Sequence, residues 1–368
     1  MSVRLKYFFA IVLMAVAVKC RADEQPVDST VATLQHKTAR SELSRTVQGL
    51  NDTDSDYIEP QHYDFAAMIQ ATRNFENFSI ASNGQSMALA PDPTIKVGPY
   101  FGWRWLFLGW TFDLKNIGFT GNGPKREFSL SLYSSKVGID LYYRRTGSDY
   151  KLRDVKLGYG LDGDLFEGMP FDGVSVGITG LNAYYIFNHR HFSYPAAFSQ
   201  STRQKISCGS WMAGAGYTAN SLDLDFEKLE RAVRSRLGRQ VMQIDSGLMF
   251  DRIKFSDYSL SVGYAYNWVF ARYWLFCASA QLALAYKTSK GNTPDEDDRF
   301  SFHKVNVDGI ARFGLVYNND KWYAGTSLIL CSENYHNNRF SASNMFGSLN
   351  VYAGFNFKLK KRYRKNKT

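Results

Sequence analysis

The stretch 257–287 restricts the fold more than any other part of the chain. It reads DYSLSVGYAYNWVFARYWLFCASAQLALAYK, in which apolar side chains alternate with small or polar ones. Because successive side chains of a β-strand point to opposite faces, each half is predicted to be a strand with one apolar face. The apolar positions are Tyr258, Leu260, Val262, Tyr264, Tyr266, Trp268 and Phe270 in the first half, and Trp274, Phe276, Ala278, Ala280, Leu282, Leu284 and Tyr286 in the second.

Both halves exceed the roughly 9–11 residues that a tilted strand needs to cross a bilayer. Aromatic residues gather at the ends of the apolar faces, as in the interfacial girdles of membrane barrels. The hairpin therefore predicts two wall strands of an all-β fold, an antiparallel transmembrane β-barrel. The whole chain is 15% aromatic and contains 29 glycines, which agrees with that fold class.

The N-terminus predicts export. Two basic residues precede an apolar run at 7–18, which is too short for a membrane helix and fits the core of a secretory signal. Cleavage is expected after Ala22 or after Cys20. Lipid modification of Cys20 is disfavoured because Lys19 stands where a small residue is needed.

Four segments are expected: a signal peptide at 1–22, a flexible polar leader at 23–56, an outer-membrane β-barrel at 57–360 and a basic tail at 361–368. The net charge of +10 is concentrated at the ends. Four basic residues lie in the signal peptide and seven lie between 358 and 368, so the body of the chain is near neutral. No nucleic-acid partner is predicted.

Three cysteines remain after cleavage at Ala22, namely Cys208, Cys277 and Cys331. An odd number cannot pair completely, and no Cys-x-x-Cys or Cys/His spacing indicates a metal. They are interpreted as small wall residues, with one disulfide left open. No cofactor is predicted.

Strand signals recur along the whole barrel segment. Asn83-Gly84 predicts a hairpin turn within 79–90, and aromatic-rich or alternating pairs follow at about 91–114 and 126–145. Further strands are expected at about 150–158, 173–187, 204–218, 221–229, 252–270, 273–287, 300–317, 321–331 and 346–359. The barrel is predicted to have about 12–16 strands, with a count nearest to about 14.

Connections of alternating length set the predicted orientation, with short turns in the periplasm and long loops outside. The expected turns are 103–104, 134–136, 219–221, 270–273 and 318–320, and the expected loops are 115–125, 188–203, 230–251, 288–299 and 332–345. The connection 159–173 is long but falls on the periplasmic side. Either it folds inward or a strand is missing from the count.

The segment from Phe346 to Leu359 is predicted to be the closing strand, paired with the first strand of the barrel. Its Gly354, Phe357 and Leu359 follow the glycine-then-two-hydrophobics pattern that barrel-assembly machinery reads in terminal strands. Barrel-assembly machinery and outer-membrane lipid are therefore the expected partners. The oligomeric state is left open.

Four motifs carry a resemblance to a known family: SDYIEPQHYDF (55–65), PDPTIKVGPYFGWRW (91–105), SLYSSKVGIDLYYRRTG (131–147) and NHRHFSYPAAFSQS (188–201). They resemble Gram-negative envelope proteins that share domain of unknown function 4421, over nearly the whole mature chain. The resemblance implies a β-rich protein of the outer-membrane type. It supplies no activity, ligand or catalytic residue.

Five charged residues occupy the polar parity of predicted wall strands and are expected to face the lumen: Asp140, Arg144, Lys287, Asp308 and Arg312. Such charges set ion preference in a conducting barrel, whereas in a narrow barrel they pair with one another and fill the lumen. The sequence leaves both alternatives open, although pairing is the more common arrangement.

A second group lies in the loop 188–203, where His189, His191 and Ser193 offer the residue types of a hydrolase. A nucleophilic serine needs a base within hydrogen-bond reach and a group that orients the base, which sequence cannot establish. A compact loop packed at the barrel mouth is the favoured interpretation. The acidic stretches 162–167 and 295–298 are likewise interpreted as solvated loops rather than calcium sites.

The function expected from sequence is an outer-membrane barrel acting as a channel, a transport component or a structural wall protein. One alternative is an outer-membrane hydrolase at the external mouth. The other is a secreted soluble β-barrel that binds an apolar ligand.

Overall fold

The computed structural model describes residues 52–103, 106–109, 112–113, 126–145, 150–156, 166–171, 173–225, 227–228, 231, 252–292, 299–336 and 341–364. The predicted signal peptide, the leader up to residue 51, the acidic loop 295–298 and the last four residues of the tail lie outside them.

The described strands, in chain order, are β1 Ile58–Pro60, β2 Tyr63–Ser82, β3 Gln85–Pro91, β4 Thr94–Trp103, β5 Leu106–Gly109, β6 Phe112–Asp113, β7 Arg126–Tyr133, β8 Val137–Arg145, β9 Tyr150–Lys156, β10 Pro170–Phe171, β11 Val174–Ile186, β12 Thr202–Gln204, β13 Cys208–Leu224, β14 Arg252–Ala271, β15 Trp274–Asn292, β16 Arg299–Asn318, β17 Trp322–His336 and β18 Ser341–Leu359. Two short helices are α1, Tyr194–Phe198, and α2, Lys361–Arg364. Neither they nor any other described helix is long and apolar enough to span a bilayer.

One antiparallel sheet forms the wall. Its ladder runs from β2 through β18, β17, β16, β15, β14, β13, β11 and β8 to β7. On the other side of β2, β3 and β4 pair with successive parts of that strand, and β5 and β6 pair with β4. With β3–β4 and β5–β6 each taken as one wall strand, the described residues form twelve. This lies within the predicted range and two below the nearest count.

Part of the difference comes from the predicted turn at 219–221, which is wrong. β13 continues through it, and Asn220 pairs with Ile178 of β11 and Phe255 of β14. The polar residues that suggested a turn remain in the ladder because the strand has a partner on both sides. The predicted strands 204–218 and 221–229 are therefore one strand.

The predicted strand at 150–158 is present as β9 but is not one of the twelve wall strands. It pairs with β3, although it lies between β8 and β11 in the chain, and β8 and β11 pair directly with each other. In the described residues no ladder joins β6 to β7, and the segment 114–125 between them is outside that set. The segment between β8 and β11, which contains β9, therefore pairs with β3 on the other side of the position where no ladder joins β6 to β7.

The sheet curls so that side chains of one face meet across an interior. Arg312 of β16 lies 2.6 Å from Asp140 of β8, although four strands separate β16 from β8 in the sheet. The amide of Asn220 on β13 donates to Glu333 of β17 at 2.7 Å. The wall is therefore barrel-shaped, with an inner and an outer face.

The hairpin of 257–287 is confirmed as β14 and β15, which pair in register on either side of a turn at Arg272 and Tyr273. The predicted apolar face points outward, with Leu260 71% and Leu282 65% exposed. The opposite face is enclosed, and Asn267 and Cys277 on it are fully buried. The three described cysteines are free.

The pairing of the last wall strand with the first is also confirmed, since β18 pairs with β2 along its whole length. The short turns at 134–136, 272–273 and 319–321 lie at one end of the wall, here called the turn end. The opposite end, where β13 leads into 225–251 and β15 leads into 293–298, is called the loop end.

The predicted placement of 188–203 opposite the turns is wrong. β11 and β13 pair antiparallel from Val174↔Leu224 to Ile186↔Met212, so the segment that joins them lies at the turn end. The false turn at 219–221 adds one crossing of the wall to the predicted count, which moves 188–203 to the wrong end. Taking β9 as a wall strand adds a second crossing, so the ends assigned to the turns earlier in the chain are correct again. Between these two extra crossings, the connection 159–173 is assigned to the periplasmic side, where its length looks anomalous.

Candidate functional site: the filled interior

The segment 187–207, here called the plug, folds into the turn end of the barrel. Its helix α1 begins after Ser193, whose hydroxyl accepts a hydrogen bond from the amide of Ala196, and Pro195 stands in the first turn. Phe192, Tyr194 and Ala197 are fully buried against the wall. The helix therefore fills the interior rather than covering it from outside.

Polar side chains from three wall strands hold the plug. The hydroxyl of Tyr194 lies 3.0 Å from that of Ser279 on β15. The amide of Asn267 on β14 donates to the carbonyl of Ser193 at 2.8 Å. The amide of Gln200 donates to the hydroxyl of Tyr352 on β18 at 2.7 Å. These buried bonds fix the plug at several points around the wall.

The chain before β2 closes over the plug at the turn end. β1 pairs with β12 in a small separate sheet, and Glu59 forms an ion pair with Arg203 across it. Asp54 lies 3.4 Å from His191, and its amide donates to the carbonyl of Arg190. The described end of the predicted leader, 52–56, is thus in contact with the plug.

An ion pair crosses the middle of the barrel. Arg312 and Asp140 are joined at 2.6 Å, and their side chains are 5% and 13% exposed. The hydroxyl of Ser131 donates to Asp140 at 2.7 Å and that of Tyr133 at 3.2 Å. Arg312 also donates to the hydroxyl of Tyr194 at 3.2 Å. The pair therefore links β8, β16 and the plug.

Three further ion pairs lie nearer the loop end, two of them sharing Lys287. The ammonium of Lys287 is 2.8 Å from Asp308 and 3.7 Å from Asp257. Arg144 is 3.4 Å from Glu76, to which the hydroxyl of Tyr150 donates at 3.0 Å. All of these groups are largely or fully shielded from solvent, and each lies within 4 Å of an opposite charge, as buried ionic groups require.

Apolar side chains fill the loop end above these pairs. This group, here called the loop-end core, comprises Phe78, Ile80, Met87, Leu89, Tyr150, Leu152, Val155, Phe166, Phe171, Val174, Val176, Ile178, Leu222, Tyr335, Ala342 and Phe346. A cavity of about 40 Å³ remains between the core and the side chains of Asp257, Lys287 and Glu333, which is space for one or two waters.

The five predicted lumen residues, Asp140, Arg144, Lys287, Asp308 and Arg312, all lie on the inner face, and each is engaged in one of these pairs. Sequence reasoning missed their partners Glu76 and Asp257. Both follow the same alternation as other inward residues of their strands, so strand parity was sufficient to find them.

The hydrolase candidates are not brought together. The hydroxyl of Ser193 lies 2.6 Å from that of Thr202 and caps α1. His191 packs against Tyr57 with ring centroids 4.3 Å apart and the rings tilted by 45°, and His189 lies beside Tyr185. Within the described residues no group of three or more His, Cys, Asp or Glu is placed to hold a metal.

Comparison with known proteins gives a family. The model of DUF4421, a domain of unknown function, matches residues 52–357. The chain belongs to this family. The matched range takes in the plug and the described wall except for the last two residues of β18. No curated protein matches the chain.

Solved structures similar to this DUF4421 protein are outer-membrane proteins. The outer membrane protease OmpT of Escherichia coli matches with TM-score 0.38 and 7% identity, over 80% of this chain and 96% of its own. The translocator domain of the autotransporter NalP of Neisseria meningitidis matches with TM-score 0.32 and 8% identity, over 89% and 98%. The toluene transporter TodX of Pseudomonas putida matches with TM-score 0.27 and 10% identity, over 79% and 90%. Similarity at this level transfers no activity.

Proposed function

We propose that this protein is an outer-membrane β-barrel that acts as a closed wall protein rather than as an open channel. The observation that carries the proposal is an interior filled at both ends, by the plug and by the loop-end core. Between them lie the buried ion pairs of Arg312, Lys287 and Arg144. A conducting barrel of this size needs a continuous wet lumen, which the described part of the interior does not offer.

The outer face supports insertion in a bilayer. A turn-end belt of exposed aromatics comprises Trp103, Trp211, Trp268, Trp274, Trp322 and Phe355, and a loop-end belt comprises Tyr217, Tyr258 and Tyr286. Trp268 and Tyr258 are about ten residues apart on β14, which at ~3.3 Å per residue and a tilt of ~40° separates the belts by about 25 Å. That is the height of the apolar band of outer-membrane barrels.

The two alternative functions find less support. The hydroxyl of Ser193 is engaged by Thr202 and by the helix it caps, with no histidine among its partners, so the plug lacks the arrangement of a hydrolase. A soluble barrel would expose the polar face of its strands. Here the exposed positions in the middle of β14 include the apolar residues Tyr258, Leu260 and Val262.

Arginine substitution tests the bilayer contact. Leu282→Arg is expected to lower the free energy of unfolding from vesicles by about 2–4 kcal/mol, since position 282 faces the apolar band. Ala271→Arg, beside the turn and at the level of the turn-end belt, where it pairs with Trp274, is the control and is expected to cost less than about 1 kcal/mol. Urea titration of both variants in phosphatidylcholine vesicles measures the difference, and equal costs would contradict the assignment of the outer face.

Inner-face positions would not serve as mild controls. Ser279 is 4% exposed and contacts Tyr194 of the plug. An arginine there would displace the plug, so Ser279→Arg is also expected to be costly.

Planar-bilayer recording tests the closed interior. The full mature chain is expected to insert without unitary conductance, while an open porin reconstituted in the same way supplies the positive control. Replacing 190–206 by an Asn-Gly turn should also give silent barrels, because the loop-end core remains in place. Heat-modifiable migration on gels establishes that each protein is folded. Stable unitary conductance from the intact chain would refute the proposal.

A further inference from the structure

An exposed arginine interrupts the apolar outer face of the wall. Arg73 lies on β2, and its cross-strand neighbours are Leu349 of β18 and Ile95 of β4, which are 39% and 44% exposed. Ile69, four positions earlier on the same face, is 59% exposed. Among the described residues the side chain of Arg73 has no ion pair or hydrogen bond.

The flanking residues of β2 show that Arg73 is not part of the interior network. The hydroxyl of Thr72 donates to Asn350, which in turn donates to Ser327, and both are inner-face residues. Glu76, three positions later, is buried with Arg144. Because the parity of the strand is unbroken here, Arg73 points to the outside.

The height of Arg73 follows from the turn-end belt. Phe65 pairs in register with Trp103 of that belt and packs on Phe101 at 5.7 Å. Arg73 is about eight residues further along β2, which places it roughly 20 Å above the belt at ~3.3 Å per residue and ~40° tilt. A long side chain at that height extends to the edge of a ~25 Å apolar band.

We infer that Arg73 binds the phosphate of an anionic lipid headgroup in the leaflet at the loop end. The inference rests on the proposed membrane-spanning function. A cation among exposed apolar side chains is costly in lipid unless it reaches a counter-charge. A guanidinium presents a planar fork of donors that matches two phosphate oxygens, and the headgroup layer is where such oxygens lie.

Native mass spectrometry of the full-length protein, released from detergent with added lipid, tests this site. Phosphatidylglycerol is the probe, and a diacylglycerol with the same acyl chains is the phosphate-free comparison. Arg73→Gln is expected to weaken phosphatidylglycerol binding by at least about tenfold, while Arg73→Lys retains part of it. Lys254→Gln, at an exposed position of β14 beyond the loop-end belt, is the matched control and should bind as the parent does.

The outcomes separate this inference from the function on which it rests. Equal phosphatidylglycerol binding by the parent and Arg73→Gln, with both inserted in detergent, overturns the lipid site and leaves the barrel proposal intact. Displacement of the lipid by millimolar inorganic phosphate would assign the site to free phosphate and also overturn it. A mature chain that remains monodisperse without detergent contradicts the membrane-spanning function instead.

Discussion

Removal of residues 346–368 is expected to abolish insertion and leave the chain to periplasmic proteases. The deletion takes away most of β18, which pairs with β17 on one edge and β2 on the other. Both of those strands would then present unpaired backbone groups within the bilayer, at a cost of several kcal/mol for each group. No other described strand is available to pair with both edges.

Deletion of 361–368 is the matched control. It removes α2 and the contact of Tyr363 with His62, whose ring centroids are 4.2 Å apart, but it leaves every wall ladder complete. This shorter deletion is expected to fold normally. Heat-modifiable migration and protease resistance measure both variants. A heat-modifiable barrel formed by the longer deletion would show that β18 does not close the wall.

The loss of β18 also removes a contact of the plug. The hydroxyl of Tyr352 on this strand accepts a hydrogen bond from Gln200. Tyr352→Phe keeps the ring and removes only that bond. The same strand therefore completes the wall and positions the interior.

Alternation of residue types was sufficient to predict the wall. The outward face of β14 and β15 and the inward positions of Asp140 and Arg312 follow directly from period two, because each strand has one face in an apolar and one in an enclosed environment. Turn chemistry at Asn83-Gly84 was equally informative, since both residues adopt positive φ there.

The interior was not predictable in the same way. The short stretch around Tyr194 has no period, and its inward fold depends on Ser279, Asn267 and Tyr352, which lie far away in sequence. The continuity of β13 through Asn220 likewise depends on its neighbours β11 and β14. The polar residues at 219–221 favoured a turn locally, but pairing with strands on both sides keeps this part of the chain extended.

The pair of Arg312 and Asp140 gives the second large expected effect. Arg312→Leu is expected to destabilise the barrel by about 3–5 kcal/mol, because Asp140 would keep its charge in the enclosed interior with only Ser131 and Tyr133 as donors. Equilibrium unfolding in guanidinium, followed by tryptophan fluorescence of the reconstituted protein, measures the loss. Arg312→Lys retains a cation beside Asp140 and should cost clearly less.

The double variant Arg312→Leu/Asp140→Leu decides whether the effect comes from the unpaired charge. Replacement of both partners by apolar residues removes the buried carboxylate as well, so most of the stability is expected to return. The hydrogen bond from Arg312 to Tyr194 is lost in both variants and therefore cancels in the comparison. A double variant as unstable as the sum of its single variants would mean that the two residues act separately, and that the plug rather than the ion pair holds the two sides of the barrel together.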